Sequence, residues 1–278
     1  MIYGKWVGVR GNNHPFFNLI QNDKRYIFMS KVKLTVEKIV IPTYPEPQAE
    51  DLPMFAENRV HQRSSGRPYP NKVVLEVERN IRIDKEYKLV RLENEYISIE
   101  ILPEIGGRIY SAKDKITGYD FFYKQHVIKP ALIGVLGSWI SGGVEFNWPF
   151  HHRASGFMPC DFVTEELPDG SAACWLSEHD PIDRMKGMVG IILKPGCSYF
   201  ETKMKLYNRT EVPRSFLWWE NAAVPVNEDY RIFFPQDVSY VNFHYLKSRT
   251  SYPIAGNTVF NGIPMMEDRD ISWHKNTK

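Results

Sequence analysis

An all-β fold, a large antiparallel β-sandwich, is what this sequence predicts, and three observations carry the prediction. Apolar and polar residues alternate with a period of two through run after run, the mark of strands with one buried face. Turn signals punctuate those runs at Asp114 to Gly118, Pro168-Asp169-Gly170 and Lys194-Pro195-Gly196. No stretch keeps the 3.6-residue period of an amphipathic helix for more than a few turns, and no internal repeat is present.

Taken in order, residues 1 to 28 show no sustained period, and two readings fit them. Either Met29 is the natural start and the segment before it a loosely packed extension, or that segment adds a strand at a sheet edge. From Lys33 onward the chain reads β almost throughout, so residues 29 to 278 are expected to form one sandwich domain. The stretch Pro42 to Pro70 is rich in proline, which lacks the amide donor for a central strand, and reads as a connector across the surface. Val73, Leu75 and Val77 alternate with Val74, Glu76 and Glu78. Ile97, Ile99 and Ile101 alternate with Ser98 and Glu100. Phe200, Thr202, Met204 and Leu206 alternate with Glu201, Lys203 and Lys205. Phe233-Phe234-Pro235 and Val238 to Val241 also read as strands. The sequence then stops at Lys278 with no closing element, so the sandwich is expected to be truncated at its C-terminus and to continue in a longer protein.

Composition narrows the function classes. A 14% aromatic and 43% hydrophobic content belongs to a folded chain. Net charge is +2, with 35 basic and 33 acidic residues interspersed, which argues against nucleic acid as a partner. Three cysteines without a CxxC pair fit reduced thiols in a cytoplasmic protein rather than a disulfide frame. No apolar run approaches the roughly 18 residues that span a membrane, and no export signal is present.

The densest chemistry lies in GSWISGGVEFNWPFHHRASGFMP, residues 137 to 159. Trp139 and Trp148 offer aromatic faces on which a sugar ring stacks. Glu145, Asn147, His151 and His152 offer donors and acceptors for its hydroxyls, and Arg153 follows them in the same stretch. A carboxylate beside an imidazole is also the minimum equipment for moving protons on a sugar. Burial of Glu145 against its aromatic neighbours would raise its pKa and favour a neutral acid, whereas its structural role would be to accept N–H bonds from the Gly142-Gly143 turn. His151 and His152 are adjacent, so in extended chain they point to opposite faces and only one can enter a site; this argues against a two-histidine metal pair. No metal or other cofactor is called for. Asp161, His179, Asp180 and Asp183 read as a solvated turn rather than a calcium loop.

Two further runs complete the pattern: ILPEIGGRIYSAKDKITGYDFFY, residues 101 to 123, and LYNRTEVPRSFLWWENAAVPV, residues 206 to 226. Together the motifs resemble the galactose mutarotase-like, or aldose 1-epimerase-like, superfamily of β-supersandwiches. From about Lys33 to Lys278 the chain is similar to bacterial proteins in which such a domain precedes tetratricopeptide repeats. The resemblance implies a saccharide site on one sheet face, with Arg108 as the counterpart of a sugar-holding arginine. The chain departs from the epimerase motif at Glu220-Asn221-Ala222-Ala223, where the epimerases carry a histidine, and asparagine is no general acid. Strand parity puts Trp219 and Asn221 on one face and Trp218 and Glu220 on the other, which makes Trp219 the stacking platform if Asn221 lies in the site.

The expectation is therefore a carbohydrate-active domain with Glu145, His151 and His152 as catalytic candidates, and Arg108, Trp139, Asn147, Trp148, Trp219, Glu220 and Asn221 as substrate-binding ones. Its chemistry would be glycoside hydrolysis, with Glu220 as the only second carboxyl nearby, or sugar epimerisation. The alternative is a non-catalytic module that binds or senses a saccharide for attached repeats, with helical repeats following the chain as its partner.

Overall fold

The computed structural model describes residues 3–7, 31–45, 76–132, 138–149, 152–153, 155–181, 183–243, 248–256, 258–260, 263–265 and 268–277. They fall into two compact units, Met1–Val224 and Pro225–Lys278. Among the described residues there is no α-helix, and every ladder between named strands is antiparallel.

Among its described residues the first unit holds two large sheets and one two-stranded pair. Strands β1 (Tyr3–Val7), β2 (Lys33–Thr43), β3 (Ile83–Glu93), β4 (Ile97–Leu102), β5 (Arg108–Asp114), β6 (Ala131–Leu132), β7 (Ser138–Trp139), β8 (Val144–Asn147), β9 (Asp161–Glu166), β10 (Ala172–His179), β11 (Met185–Leu193), β12 (Tyr199–Asn208) and β13 (Trp219–Ala222) follow in sequence. Five of them run β1-β12-β11-β10-β9 and six run β13-β8-β5-β4-β3-β2, while β6 and β7 pair with each other. Alternation decides what each strand buries. Val90 and Leu92 of β3, Ile97, Ile99 and Ile101 of β4, and Val144 and Phe146 of β8 meet Cys174, Leu176, Val189, Ile191, Leu193 and Phe200 of the five-stranded sheet in one apolar core. That shared core makes the unit a β-sandwich. The other face of the six-stranded sheet carries a second cluster that includes Tyr87, Leu89, Leu102, Tyr110, Ile140 and Phe157.

Several expectations are revised. Tyr3–Val7 pairs with β12, Tyr3 opposite Lys203 and Val7 opposite Tyr199, and so adds an edge strand, the second of the two readings for the N-terminal segment. Pro42 lies at the end of β2, itself an edge strand, where a missing donor is tolerated; the rest of the proline-rich stretch from residue 46 on lies outside the described residues. Glu76 to Glu78 are irregular rather than strand, because the Glu78 carboxylate accepts the N–H groups of Arg79, Asn80 and Ile81 and turns the chain there. Residues 73 to 75 lie outside the described residues.

The second unit holds β14 (Tyr240–Phe243) with β15 (Ser248–Ser251), β16 (Ile254–Ala255) with β19 (Arg269–Asp270), and β17 (Thr258–Phe260) with β18 (Ile263–Met265). Phe233 to Pro235 do not form a strand; just before them the Ile232 N–H bonds to the Ser272 carbonyl and the Ile232 carbonyl accepts from the Tyr252 hydroxyl. A 3₁₀ turn at His274–Thr277 bonds through the His274 N–H to the Tyr230 carbonyl at 3.0 Å.

One packing detail fixes the approach to the site. Gly187 in β11 leaves the space that the Trp148 indole fills, since a Cβ there would lie 2.0 Å from the ring. Gly187→Ala is expected to destabilise the protein by roughly 1–3 kcal/mol, the cost of overpacking a rigid ring. Chemical denaturation measures this, and an unchanged midpoint would contradict the packing described.

Candidate functional site

Three short strands and one loop build the site. In β8, Val144 and Phe146 point into the core, so Glu145 and Asn147 point to the opposite face. Strand β13 pairs with it in register, Trp219 opposite Asn147 and Asn221 opposite Glu145, which puts those four side chains on one face. Arg108 begins β5, which touches β8 through Ile109 opposite Val144. The loop after β8 brings His152.

Glu145 is the hub. The Asn221 amide donates to its Oε1 at 2.8 Å, and His152 Nδ1 lies 3.0 Å from the same oxygen, with the ring N–H off the ideal line. Oε2 faces Arg108 Nη2 at 4.0 Å, too far for a hydrogen bond. The edge of the His152 ring meets Trp219, centroids 4.5 Å apart. Burial raises the Glu145 pKa, but His152, the Arg108 guanidinium and the Asn221 amide outweigh it, and the carboxyl is held below its ordinary value. This corrects the expectation of a neutral acid: the aromatic neighbour Phe146 faces the core, while the groups around the carboxylate itself are donors. The Gly142-Gly143 turn does not donate to it; instead the carbonyls of Ser141 and Gly142 accept from Arg108 Nη1 at 3.2 and 3.0 Å.

Arg108 is 2% exposed. Burial lowers its pKa to about 10; Glu145 works against that drop and the nearby Arg153 adds to it. The Gly106-Gly107 turn ahead of it has positive φ at both residues, and a Cβ on Gly106 would lie 2.4 Å from the Gly156 carbonyl oxygen. The turn therefore packs backbone to backbone against the loop that carries His152, and the Gly106 N–H bonds to the Met158 carbonyl at 2.7 Å.

Arg153 holds that loop. Its backbone N–H donates to Asn147 Oδ1 at 3.1 Å and its Nε to the Phe146 carbonyl at 2.9 Å, while Nη1 reaches Glu178 and Nη2 the Gly106 carbonyl. Its guanidinium also sits over the Trp148 ring at 4.1 Å. Sequence reasoning left Arg153 without a role and did not weigh Glu178. The signal was present: Glu178 shares the inward parity of Ala172, Cys174 and Leu176 in β10, and a carboxylate at such a position calls for a buried cation.

The remaining expected residues divide. Trp148 is not a sugar platform: it is 3% exposed, stacked on Trp218 at 5.5 Å and 11°, and belongs to the core. Glu220 is not on the site face either, because β13 alternation turns it with Trp218 toward the other sheet, where Thr202 donates to it at 3.2 Å. Asn147 is on the site face, 1% exposed, with its Nδ2 unpartnered. Trp139 is half-buried on β7, two residues before the Ser141 carbonyl that holds Arg108, and its indole N–H has no acceptor. His151 lies outside the described residues. Asp183, expected in a solvated turn, is 9% exposed, and its N–H bonds to the Asp180 carboxylate at 2.5 Å. A separate cavity of about 100 Å³, lined among others by Thr43, Tyr87, Glu104, Ile105, Ile140 and Phe157, shares no residue with the Glu145 cluster.

The Glu145 contacts set a pH dependence. A carboxyl held below its unfolded pKa contributes stability in full above that value, and the contribution is lost as pH falls through the lower folded value. Glu145→Gln, which cannot ionise, is expected to cost on the order of 1–3 kcal/mol near neutral pH and to flatten the acid limb of the stability curve. Thermal melts from about pH 7 to about pH 3 read both effects; a variant that melts in parallel with the parent would show that the contacts do not act on the carboxylate.

The chain has relatives. The chain is similar to the crystal structure of a TPR-domain containing protein from Parabacteroides distasonis ATCC 8503, at 23% identity and a TM-score of 0.59 over 73% of this chain; it spans 34% of that protein's length. That likeness is one of fold. Residues 66–277, which contain every member of the Glu145 cluster, match the model of a family described as a domain of unknown function, and the chain belongs to this family, DUF5107.

Proposed function

We propose that this domain binds a saccharide over the outer face of β8 and β13 and carries out acid/base chemistry at its anomeric carbon. The observation that carries the reading is the Glu145–His152 pair, with Asn221 and Arg108 on the carboxylate and Trp219 against the imidazole. A bare Nδ1 lone pair 3.0 Å from a carboxylate oxygen would be repelled, so Nδ1 carries the proton and Nε2 faces the ligand as the proton carrier. Glu145 then acts through His152, as a fixed charge that orients the ring. Cleavage by two carboxyl groups is the weaker of the two chemistries, because Glu220, the second carboxyl expected there, faces the other sheet. Proton exchange at an unsubstituted anomeric centre, as in epimerisation of a free sugar, fits a single histidine and carboxylate better.

A second reading is a non-catalytic module that binds a saccharide for attached repeats. It is favoured by Glu145, whose Oε1 is already taken by two donors, and by the repeats named in the similar structure from Parabacteroides distasonis. The resemblance to the mutarotase-like supersandwich supports both readings equally.

A thermal-shift screen against mono- and oligosaccharides, with NMR of the anomeric protons on every hit, tests the proposal. An enzyme is expected to alter the anomeric signals, and His152→Gln to slow that change by about 10²–10⁴ while leaving binding in place, the usual share of a general acid or base. Stabilisation without chemical change would replace the catalytic reading with the binding one. No stabilisation by any sugar would overturn both.

A further inference from the structure

The guanidinium of Arg108 is held in an unusual way for a buried group. Nη1 is engaged by two backbone carbonyls, those of Ser141 and Gly142. Nε and Nη2, which lie together on one edge of the planar fork, are both buried and have no hydrogen-bond partner. Glu145 does not fill that edge, since its nearer oxygen stands 4.0 Å from Nη2 and its other oxygen is bonded elsewhere. Leaving two donors of a buried cation unmet is costly, and a fork with both donors of one edge free matches the two oxygens of a planar carboxylate.

The surroundings share this bias. Asn147 Nδ2 and Trp219 Nε1, on paired positions of β8 and β13, are likewise buried donors without acceptors. The cluster thus offers several unpartnered N–H groups, while its one carboxylate is met at Oε1 by Asn221 and His152 and keeps only Oε2, 4.0 Å from Arg108 Nη2, without a hydrogen bond. Positive charge is supplied by Arg108 itself and by Arg153, which lies near enough to depress the Arg108 pKa but is paired with Glu178. A neutral sugar hydroxyl brings an O–H donor along with its two acceptor lone pairs, and that donor finds few free acceptors here; an oxyanion brings acceptors alone.

We infer that the saccharide taken by this site is acidic, a uronic acid whose carboxylate lies across the Nε and Nη2 edge of Arg108. This rests on the carbohydrate reading proposed above and names its substrate class. Asn221 is exposed, and the side chains of Glu145 and His152 beside it are 11% and 19% exposed, so the cluster opens to solvent on this side. The sugar ring therefore approaches over them and beside Trp219, with its carboxylate directed inward to Arg108. The bond forms out of water, where a charge-assisted pair is stronger than at the surface.

Isothermal titration of the full chain with glucuronate and galacturonate, their methyl esters, the parent hexoses and acetate tests the assignment without relying on any variant. A uronate is expected to bind about ten-fold or more tighter than its ester and its hexose, the worth of a charge-assisted hydrogen bond. It should also bind well beyond acetate, which lacks the ring. Arg108→Lys, which keeps the charge but loses the fork, is expected to reduce the preference for uronate over ester to about three-fold or less, with circular dichroism confirming that it folds. Hexoses that bind as well as uronates would overturn this inference and leave the carbohydrate reading standing. Acetate binding as tightly as uronate would show an anion site with no sugar specificity and overturn it too. Failure of every sugar, acidic or neutral, would overturn both.

Discussion

The guanidinium of Arg153 is the interaction on which the site depends. It donates to the Phe146 carbonyl at the end of β8 and to the Gly106 carbonyl of the turn before β5, it pairs with Glu178 of the opposite sheet, and it covers the Trp148 ring. One side chain therefore fixes the relative position of both sheets, the turn that introduces Arg108 and the loop that carries His152. With the Arg153 side chain 6% exposed and Glu178 22% exposed, the pair is largely removed from water. Such a pair contributes less to net stability than its charge suggests, but losing one partner strands the other and costs about 3–5 kcal/mol. Its consequence here is positional: Arg153, one residue after His152, is seated against both sheets.

From that seating the rest of the geometry follows by strand parity. Pairing β13 with β8 in its observed register puts Asn221 against Glu145 and Trp219 against Asn147, and a slip by one residue would exchange these for Trp218 and Glu220. The register is pinned from the inner face, where Trp218 stacks on Trp148 and Phe146. The same aromatic contacts that stabilise the core thus select which side chains reach the outer face. Function on one side of the sheet is specified by packing on the other.

The β character, the turns and the inward and outward faces of β4, β12 and β13 were legible in the sequence because a period of two leaves a direct trace. The cluster itself was legible in part: Glu145, His152, Arg108, Asn147, Trp219 and Asn221 come together. Trp148 and Glu220 misled, since an indole and a carboxylate look alike in sequence whether they serve a ligand or a core, and only the space at Gly187 and the hydroxyl of Thr202 decide it. The direction of the Glu145 pKa was not legible, because it depends on how the loop turns His152 toward the carboxylate and on Arg108 and Asn221, which are remote in sequence. Arg153 escaped for the same reason: its partners are spread from Gly106 to Glu178. Edge strand β1 had no readable period and was found only through its ladder to β12.

The claim at the centre of this account is that Glu145 fixes His152 as a proton carrier with Nδ1 toward the carboxylate and Nε2 toward the ligand. The measurement that tests it most directly is the tautomer of His152 by nitrogen NMR of histidine-labelled protein, assigned with His152→Gln, at a pH where the ring is neutral. The account predicts the Nδ1–H tautomer, with an unprotonated Nε2, and its loss in Glu145→Gln. An Nε2–H tautomer, or a ring that ignores the Glu145 substitution, would contradict it.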